Sequence, residues 1–355
     1  MTQSARRVGL LYDPDVLAHQ PPPGHPERPA RVQAIVHAVK DTGLWERLAH
    51  PPVLPATRAH MERVHASEYL DWVQRVVGSG GGPLDAGDTV ASPGSWQAVC
   101  AAAGAAIGAV DAVMEGRAEA AFALARPPGH HAPPERAMGF CIVNHAAVAA
   151  AHAVSHYGLE RVLLVDFDVH HGNGTQDAFY ADPRVLYFST HQSPAYPFTG
   201  AMEETGEGPG ISFTVNVPLP ADVDDAGFLR AFDDVLAPLA DRFAPQLVLA
   251  SAGYDAHWRN SAYVQGIRER MTVRGLAALS GRLMALADTH CPGRLIGVLE
   301  GGYDLDALAE GVCATLSVWL GDTEVTDTIG PPPTGAPSPP LDLLLARVRR
   351  LHGLA

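Results

Sequence analysis

Asp168 and His170 stand two residues apart, directly after the apolar run Arg161–Phe167. In an extended chain that spacing turns both side chains to one face. Asp255 follows a separate run, Gln246–Ser251. Two carboxylates and one imidazole can hold a divalent ion and leave positions free for water and a substrate, as a catalytic zinc requires. Such an ion lowers the pKa of water and polarises a carbonyl. Iron, cobalt and manganese accept the same oxygen and nitrogen donors, so the residues alone leave the metal open.

His130 and His131 follow Arg126-Pro-Pro-Gly, a stiff turn that fixes their direction. Adjacent imidazoles can serve as general base and general acid near neutral pH. Asp166, two residues before Asp168, falls on the same side one step deeper, where it can accept a hydrogen bond from His130 and raise its basicity. Tyr303 follows Gly301-Gly302, and a phenol beside a metal can donate to a developing oxyanion. Taken singly, an Asp-x-His is usually a strand-end turn, a His pair is usually surface, and a Tyr after two glycines is usually packing. Their convergence changes the reading, because all of them follow apolar runs, and open α/β sheets bind ligands outside the carboxyl ends of their strands.

The elements that must position them are short apolar runs: Val8–Tyr12, Ala120–Ala125, Arg161–Phe167, Val185–Ser189, Ile211–Val217, Gln246–Ser251 and Arg294–Leu299. Helical patterns alternate with them over Ser95–Gly116, His145–Tyr157, Ala226–Phe243 and Thr272–Thr289. That alternation predicts an α/β fold with a parallel sheet covered on both faces. The chain has 355 residues, 47% hydrophobic and 18% charged, enough for a folded domain with a large core. We expect one domain over residues 1–320, a Pro-rich linker or surface wrap over 321–340 and a short helix over 341–355. That helix, Leu341–Leu351, carries Leu on one side and Arg on the other, so it docks on the body or on a second subunit, which leaves a homo-oligomer open.

No apolar run is expected to reach the roughly 20 residues needed to cross a bilayer. Met1–Val8 lacks the apolar core and cleavage site of a signal peptide. Four cysteines without paired spacing read as free thiols in a reducing cytoplasm. The net charge of −14 argues against nucleic-acid binding, and no membrane association is expected.

These residues resemble the histone deacetylase superfamily, of the class II type that includes bacterial deacetylase-like amidohydrolases and acetylpolyamine amidohydrolases. The matching strings are His25-Pro-Glu-Arg-Pro, Arg126-Pro-Pro-Gly-His-His, Gly139-Phe-Cys, Asp166-Phe-Asp-Val-His-His-Gly-Asn-Gly-Thr-Gln, Gly206-Glu-Gly, Asn216-Val-Pro, Ser251-Ala-Gly-Tyr-Asp and Leu299-Glu-Gly-Gly-Tyr, in family order up to about Leu320. The resemblance implies an arginase/deacetylase-like three-layer fold, an eight-stranded parallel sheet with helices on both faces. It implies Zn2+ on Asp168, His170 and Asp255, with His131 as general base and then acid, and His130, paired with Asp166, as its electrostatic partner. Tyr303 would polarise the amide carbonyl. Phe140 and Tyr196 would line a narrow tunnel, with Gly139, Phe198 and Gly301 also beside the substrate. One structural K+ would use Asp166, Ser189 and carbonyls of Asp168, His170 and Thr190; a second would use carbonyls around Phe179, Asp182, Val185 and Phe213.

The implied reaction hydrolyses an N-acyl group, acetyl first, from a lysine side chain or a polyamine. The chain departs from the family pattern at a few positions. Asn173 stands where class I members carry Asp, as it does in class II, and would alter the tuning of His131. Phe198 replaces a common Gly, Asn260-Ser261-Ala262 replaces a frequent Asp-Pro-Leu, and His145 replaces a frequent Asn. No Glu near Ala262 would gate a cationic polyamine, which favours acyl-lysine or a broad acyl substrate. The alternatives are an acetylpolyamine amidohydrolase with little action on proteins, a catalytically silent acyl-lysine reader, and a di-manganese ureohydrolase. The last would need bridging carboxylates that the His-His and Gly-Gly-Tyr strings replace.

Overall fold

Apolar runs without alternation become strands only where both faces are covered. The computed structural model describes residues 6–333 and 337–354. The readings of Met1–Val8, Gly330–Pro340 and 341–355 therefore fall partly outside the described residues, at 1–5, 334–336 and 355. All seven runs are strands of one parallel sheet: β1 (Val8–Leu11), β2 (Ala120–Ala123), β3 (Val162–Asp166), β4 (Val185–Gln192), β5 (Thr214–Leu219), β6 (Leu247–Ala252) and β7 (Leu295–Leu299). Their order is β1-β2-β7-β6-β3-β4-β5. Every strand but β5 is buried along its whole length; β5, at an edge, carries Pro218, which an edge strand tolerates.

Among the described residues the sheet has seven strands, not the eight implied by the resemblance. Beyond β1 the position of an eighth strand shrinks to one residue. Ala49 bonds Val8 and Leu10 through its backbone, 2.8 Å each. Pro51 and Pro52 follow and have no N–H with which to extend the ladder.

Two helices, α1 (Ala30–Asp41) and α5 (Leu305–Leu320), pack together with α4 (Val273–His290) on one face. On the other face α2 (Ser95–Met114) packs against α3 (His145–Tyr157) and the strands β1, β2 and β7. By length and composition α2 is apolar enough to cross a bilayer, which corrects the expectation that no run would be; most of it is buried within the fold. Side-chain caps start several helices; for example, Asn144 accepts from Ala147 N, Asp224 from Gly227 N, Thr272 from Gly275 N and Asp304 from Ala307 N. The helix read over Ala226–Phe243 is divided. Asp225–Ala231 and Ala237–Phe243 flank a widened turn, Phe232–Leu236, just ahead of Pro238, whose missing N–H interrupts the regular ladder. The C-terminal helix α6 (Asp342–Leu351) buries Leu345 and Val348 against β5 and this widened turn, so it docks on the body.

A buried ion network ties the N-terminal segment to the strand-end loops. Arg126 Nε donates to Glu27 Oε1 at 2.7 Å and its Nη2 to Oε2 at 3.1 Å, while Nη1 donates to the Val16 and His19 carbonyls. Arg31 Nε donates to Gly302 O at 2.6 Å and Nη2 to Glu300 O at 2.5 Å. All three charged side chains are fully buried. Burial opposes the charge on Glu27, but Arg126, His19 and Arg31 hold its pKa below the ordinary carboxylate value. Replacing Glu27 with Gln leaves two guanidiniums buried without a carboxylate. Glu27→Gln is expected to lose about 3–5 kcal/mol of stability, read as a lower urea midpoint; an unchanged midpoint would remove this network from the determinants of the fold.

Candidate active site

At Asp166, the last residue of β3, the register places Ser189 of β4 on one side and Ser251 of β6 on the other. The chain beyond β3 carries Asp168 and His170 and that beyond β6 carries Asp255, so three side chains from two strand ends meet. All three are buried, and one ligand atom from each lies within 4.8 Å of the others. His170 Nδ1 is 3.0 Å from Asp168 Oδ1 and 3.2 Å from Asp255 Oδ2. Backbone amides aim the carboxylates: Gly301 N donates to Asp168 Oδ2 at 2.9 Å and Val169 N to Asp255 Oδ1 at 3.0 Å. Asp255 Oδ2 is buried and has no hydrogen-bond partner. Such an orphaned oxygen is rare in a native interior, and a cation is what would satisfy it. A β-carbon at Gly301 would collide with Asp255 Oδ2 and Asp168 Oδ2, and one at Gly253 with Asp168 Oδ2, so the backbone is moulded around the two carboxylates.

The local field agrees. Burial pushes the Asp255 carboxyl up, and the negative charge of Asp168 adds to that. Burial would lower His170, yet the hydrogen bond to Asp168 and the negative charges of Asp168 and Asp255 push it up to about 9. The pocket thus draws positive charge, and its two carboxylates and one imidazole fit a divalent ion with open positions.

Burial would likewise lower His130, but Asp168 and Asp166 overcome it and push it up to about 10. Its Nδ1 donates to Asp166 Oδ2 at 3.1 Å, as expected from the spacing. His131 goes the other way: burial, then the charges of His130 and His170, hold it well below its ordinary value. The rings of His130 and His131 lie 4.1 Å apart, so one imidazole holds a proton and the other lacks it. His131 Nδ1 is 2.9 Å from Asn173 Oδ1. An amide oxygen only accepts, which assigns the Nδ1–H tautomer and leaves Nε2 with its lone pair.

Tyr303 stands across the same cavity, its ring 5.8 Å from that of Phe140. Burial pushes its phenol well above 10, which keeps the O–H a donor. The cavity measures about 550 Å3 and is lined by His130, His131, Gly139, Phe140, His170, Tyr196, Phe198 and Tyr303, among others. Gly301 lies outside that lining and reaches the site through its backbone amide. Tyr196 closes the wall over His131, with ring centroids 5.1 Å apart. Phe198 is 80% exposed at the rim with φ +64°. That left-handed backbone suits glycine, so the ring stands where a side chain is strained.

Of the residues implied for K+, Asp166 and Ser189 are paired across the sheet, and the Thr190 hydroxyl is buried without a partner. Phe179, Asp182 and Phe213 carbonyls accept backbone N–H groups, and Val185 opens β4 beside them.

Several contributors were not legible as such. Tyr187 O–H donates to Asp166 Oδ2 at 3.1 Å from the middle of an apolar strand. Glu300 accepts from Gly129 N at 2.6 Å, His130 N at 3.1 Å and the Ser251 hydroxyl at 3.1 Å, anchoring the His-His turn. Asn260, quoted above only as a departure, is fully buried, and its Oδ1 accepts from Tyr303 N at 2.7 Å and Asp304 N at 3.0 Å. Position in the Leu299-Glu-Gly-Gly-Tyr string was the one available sign for Glu300; nothing in the sequence marks Tyr187.

A family model described as histone deacetylase domain matches residues 25–319. A protein named probable deacetylase, from Archaeoglobus fulgidus, is 38% identical over 301 residues, covering 84% of this chain and 82% of that one. A histone deacetylase-like amidohydrolase from Pseudomonas aeruginosa is 39% identical over 80% of this chain and 74% of its own. Polyamine deacetylase HDAC10 of Homo sapiens is 37% identical over 96% of this chain and 51% of its own. Among solved structures, the HDA15 HD domain superposes with a TM-score of 0.86 at 33% identity, covering 98% of this chain and 95% of that chain.

The close fit of backbone to ligands generates a test. Gly301→Ala is expected to lower divalent-metal affinity about 10–100-fold, the range for disturbing groups that orient metal ligands, while circular dichroism stays unchanged. Metal titration followed by competing chelator reads it; wild-type affinity in that variant would contradict the role given to Gly301.

Proposed function

The chain belongs to the histone deacetylase family of hydrolases, and on that premise we propose that it removes acyl groups, acetyl first, from N-acyl-lysine side chains, with zinc held by Asp168, His170 and Asp255. The observation that carries this reading is the orphaned oxygen of Asp255 among three converging ligand atoms, with His131 and Tyr303 facing the same cavity. When bound, the ion supplies Lewis acidity, polarising the amide carbonyl and making water a nucleophile near neutral pH.

The chain's own groups do the rest. Phe140 and Tyr196 hold the alkyl stem of the substrate between their rings, and the Gly139 carbonyl accepts from the amide N–H. His131 Nε2, free and unprotonated, takes the proton of the attacking water as its oxygen bonds the carbonyl carbon. Asn173 keeps that tautomer without adding a negative charge. Tyr303 O–H donates to the carbonyl oxygen as negative charge develops there. His131 then returns the proton to the nitrogen as the C–N bond breaks, giving a carboxylate and a free amine. His130, protonated and paired with Asp166, keeps its neighbour from holding a proton too early. One K+ at Asp166, Ser189 and the carbonyls of Asp168, His170 and Thr190 would brace β3 against β4, and a second would sit at Phe179, Asp182, Val185 and Phe213.

Lysine is favoured over polyamine because residues 261–266, which reach the rim through Tyr263–Gly266, contain no carboxylate. Free thiols at Cys100, Cys141, Cys291 and Cys313 suit a reducing compartment such as the cytoplasm. Zinc-replete protein assayed on acetyl-lysine peptides, longer acyl-lysine peptides and acetylated polyamines tests the assignment. The highest kcat/KM is expected on acetyl-lysine peptides. Faster polyamine turnover would replace the substrate, and inertness towards every amide would leave a binding module.

Tyr303→Phe separates chemistry from metal binding. Turnover should fall about 10²–10³-fold, the usual loss of one oxyanion donor, with zinc content near wild type. Asp255→Ala and His170→Ala should lose metal and activity together, and zinc retained in either removes that residue from the ligand set.

A further inference from the structure

At the opposite end of the sheet from the active site, a second cavity of about 720 Å3 opens between the C-terminal helix α6 and the strand beginnings. Leu186, near the start of β4, and Leu239 are buried in its floor. The rings of Phe213 and Phe243 form a T-shaped pair beside them, 5.9 Å apart. Over this apolar floor stand Arg161, Arg242 and Arg350. None of the three makes an ion pair with a carboxylate among the described residues: Arg161 Nε donates to Ala244 O at 2.8 Å and Arg242 Nη1 to His352 O at 2.7 Å. Among the described residues no carboxylate side chain lines the cavity. In a chain with 39 acidic and 25 basic residues, three such guanidiniums around one cavity are a local reversal of charge.

A second observation is independent of the arginines. His352 lines the same cavity, is 3% exposed, and neither ring nitrogen has a hydrogen-bond partner. Buried polar atoms are rarely left so. Burial, with Arg242 adding, lowers its pKa to about 4, so the ring is neutral and offers one N–H.

We infer that this cavity binds a small amphiphilic carboxylate, its chain on Leu186, Leu239, Phe213 and Phe243 and its head on Arg161, Arg242 and Arg350. Guanidinium and carboxylate match in charge and planar geometry, and the volume is that of an ordinary small-molecule site. His352 supplies a further donor to the bound molecule. The site is separate from the amide-hydrolysing crevice and does not depend on the function proposed for it.

Calorimetric titration of the full-length protein with octanoate tests this, with acetate, octanol and octylamine as comparison probes. One equivalent of octanoate should bind, with acetate, octanol and octylamine each weaker by about 10-fold or more, roughly one charge-assisted or apolar contribution. The exposed Arg161→Ala/Arg350→Ala double variant should lose at least about 10-fold in affinity while keeping wild-type turnover. The His352 ring resonances should shift on binding in NMR spectra. Absence of saturable binding in the millimolar range, equal affinity for octylamine, or octanoate binding that survives the double variant, and so belongs to the active-site cavity, would each overturn the assignment.

Discussion

Asp166, Asp168, Asp255 and Glu300 are buried together at the ends of three adjacent strands, and the surrounding structure answers that concentration of negative charge. Ionised carboxylates are costly to bury unless each finds a donor or a cation. Backbone amides of Asp168, Val169, His170 and Gly301 meet part of the demand, and Gly129 and His130 amides meet that of Glu300. His130 and His170 are drawn towards protonation for the same reason. One oxygen, Asp255 Oδ2, stays without a hydrogen bond, and that unmet demand is what supports reading the cluster as a place for a cation.

The same constraint separates the two histidines. Both are buried, so their difference cannot come from solvent. His130 faces Asp166 and Asp168, whereas His131 faces two other imidazoles and the neutral Asn173. Pairs of like groups whose surroundings push their proton affinities apart divide acid from base within one site. Asn173 matters here because it sets orientation and tautomer without charge.

Rigidity arrives from far along the chain. Arg31 donates to the Glu300 and Gly302 carbonyls and lies 4.9 Å from the centre of the Tyr303 ring. Arg126, which opens the His-His turn, is held by the same Glu27 that approaches Arg31. Asn260 fixes the backbone of Tyr303 from another direction. The phenol therefore keeps its place although two glycines precede it. At the rim the opposite holds: Phe198 is exposed and strained in a left-handed turn, so side-chain identity there is under no packing requirement.

The sequence by itself determined the seven strands and the parallel α/β class, because apolar runs without alternation fit only strands covered on both faces; the meeting of Asp168, His170 and Asp255 was legible from their places after strand ends, although residues 168–170 bend and do not stay extended. The sequence also marked His130 and His131 through the stiff Pro-Pro-Gly turn before them, and Tyr303 through its place in the Leu299-Glu-Gly-Gly-Tyr string. It could not tell that an eighth strand would shrink to Ala49, since strand length at an edge depends on what the neighbouring backbone offers. Nor could it mark Tyr187 or Asn260: one sits in an apolar strand and the other in a variable string, and each acquires its role from a partner distant in sequence. The proton difference between His130 and His131 belongs to tertiary structure too, because adjacent residues have nearly the same local sequence, and only folding places carboxylates against one ring and imidazoles against the other.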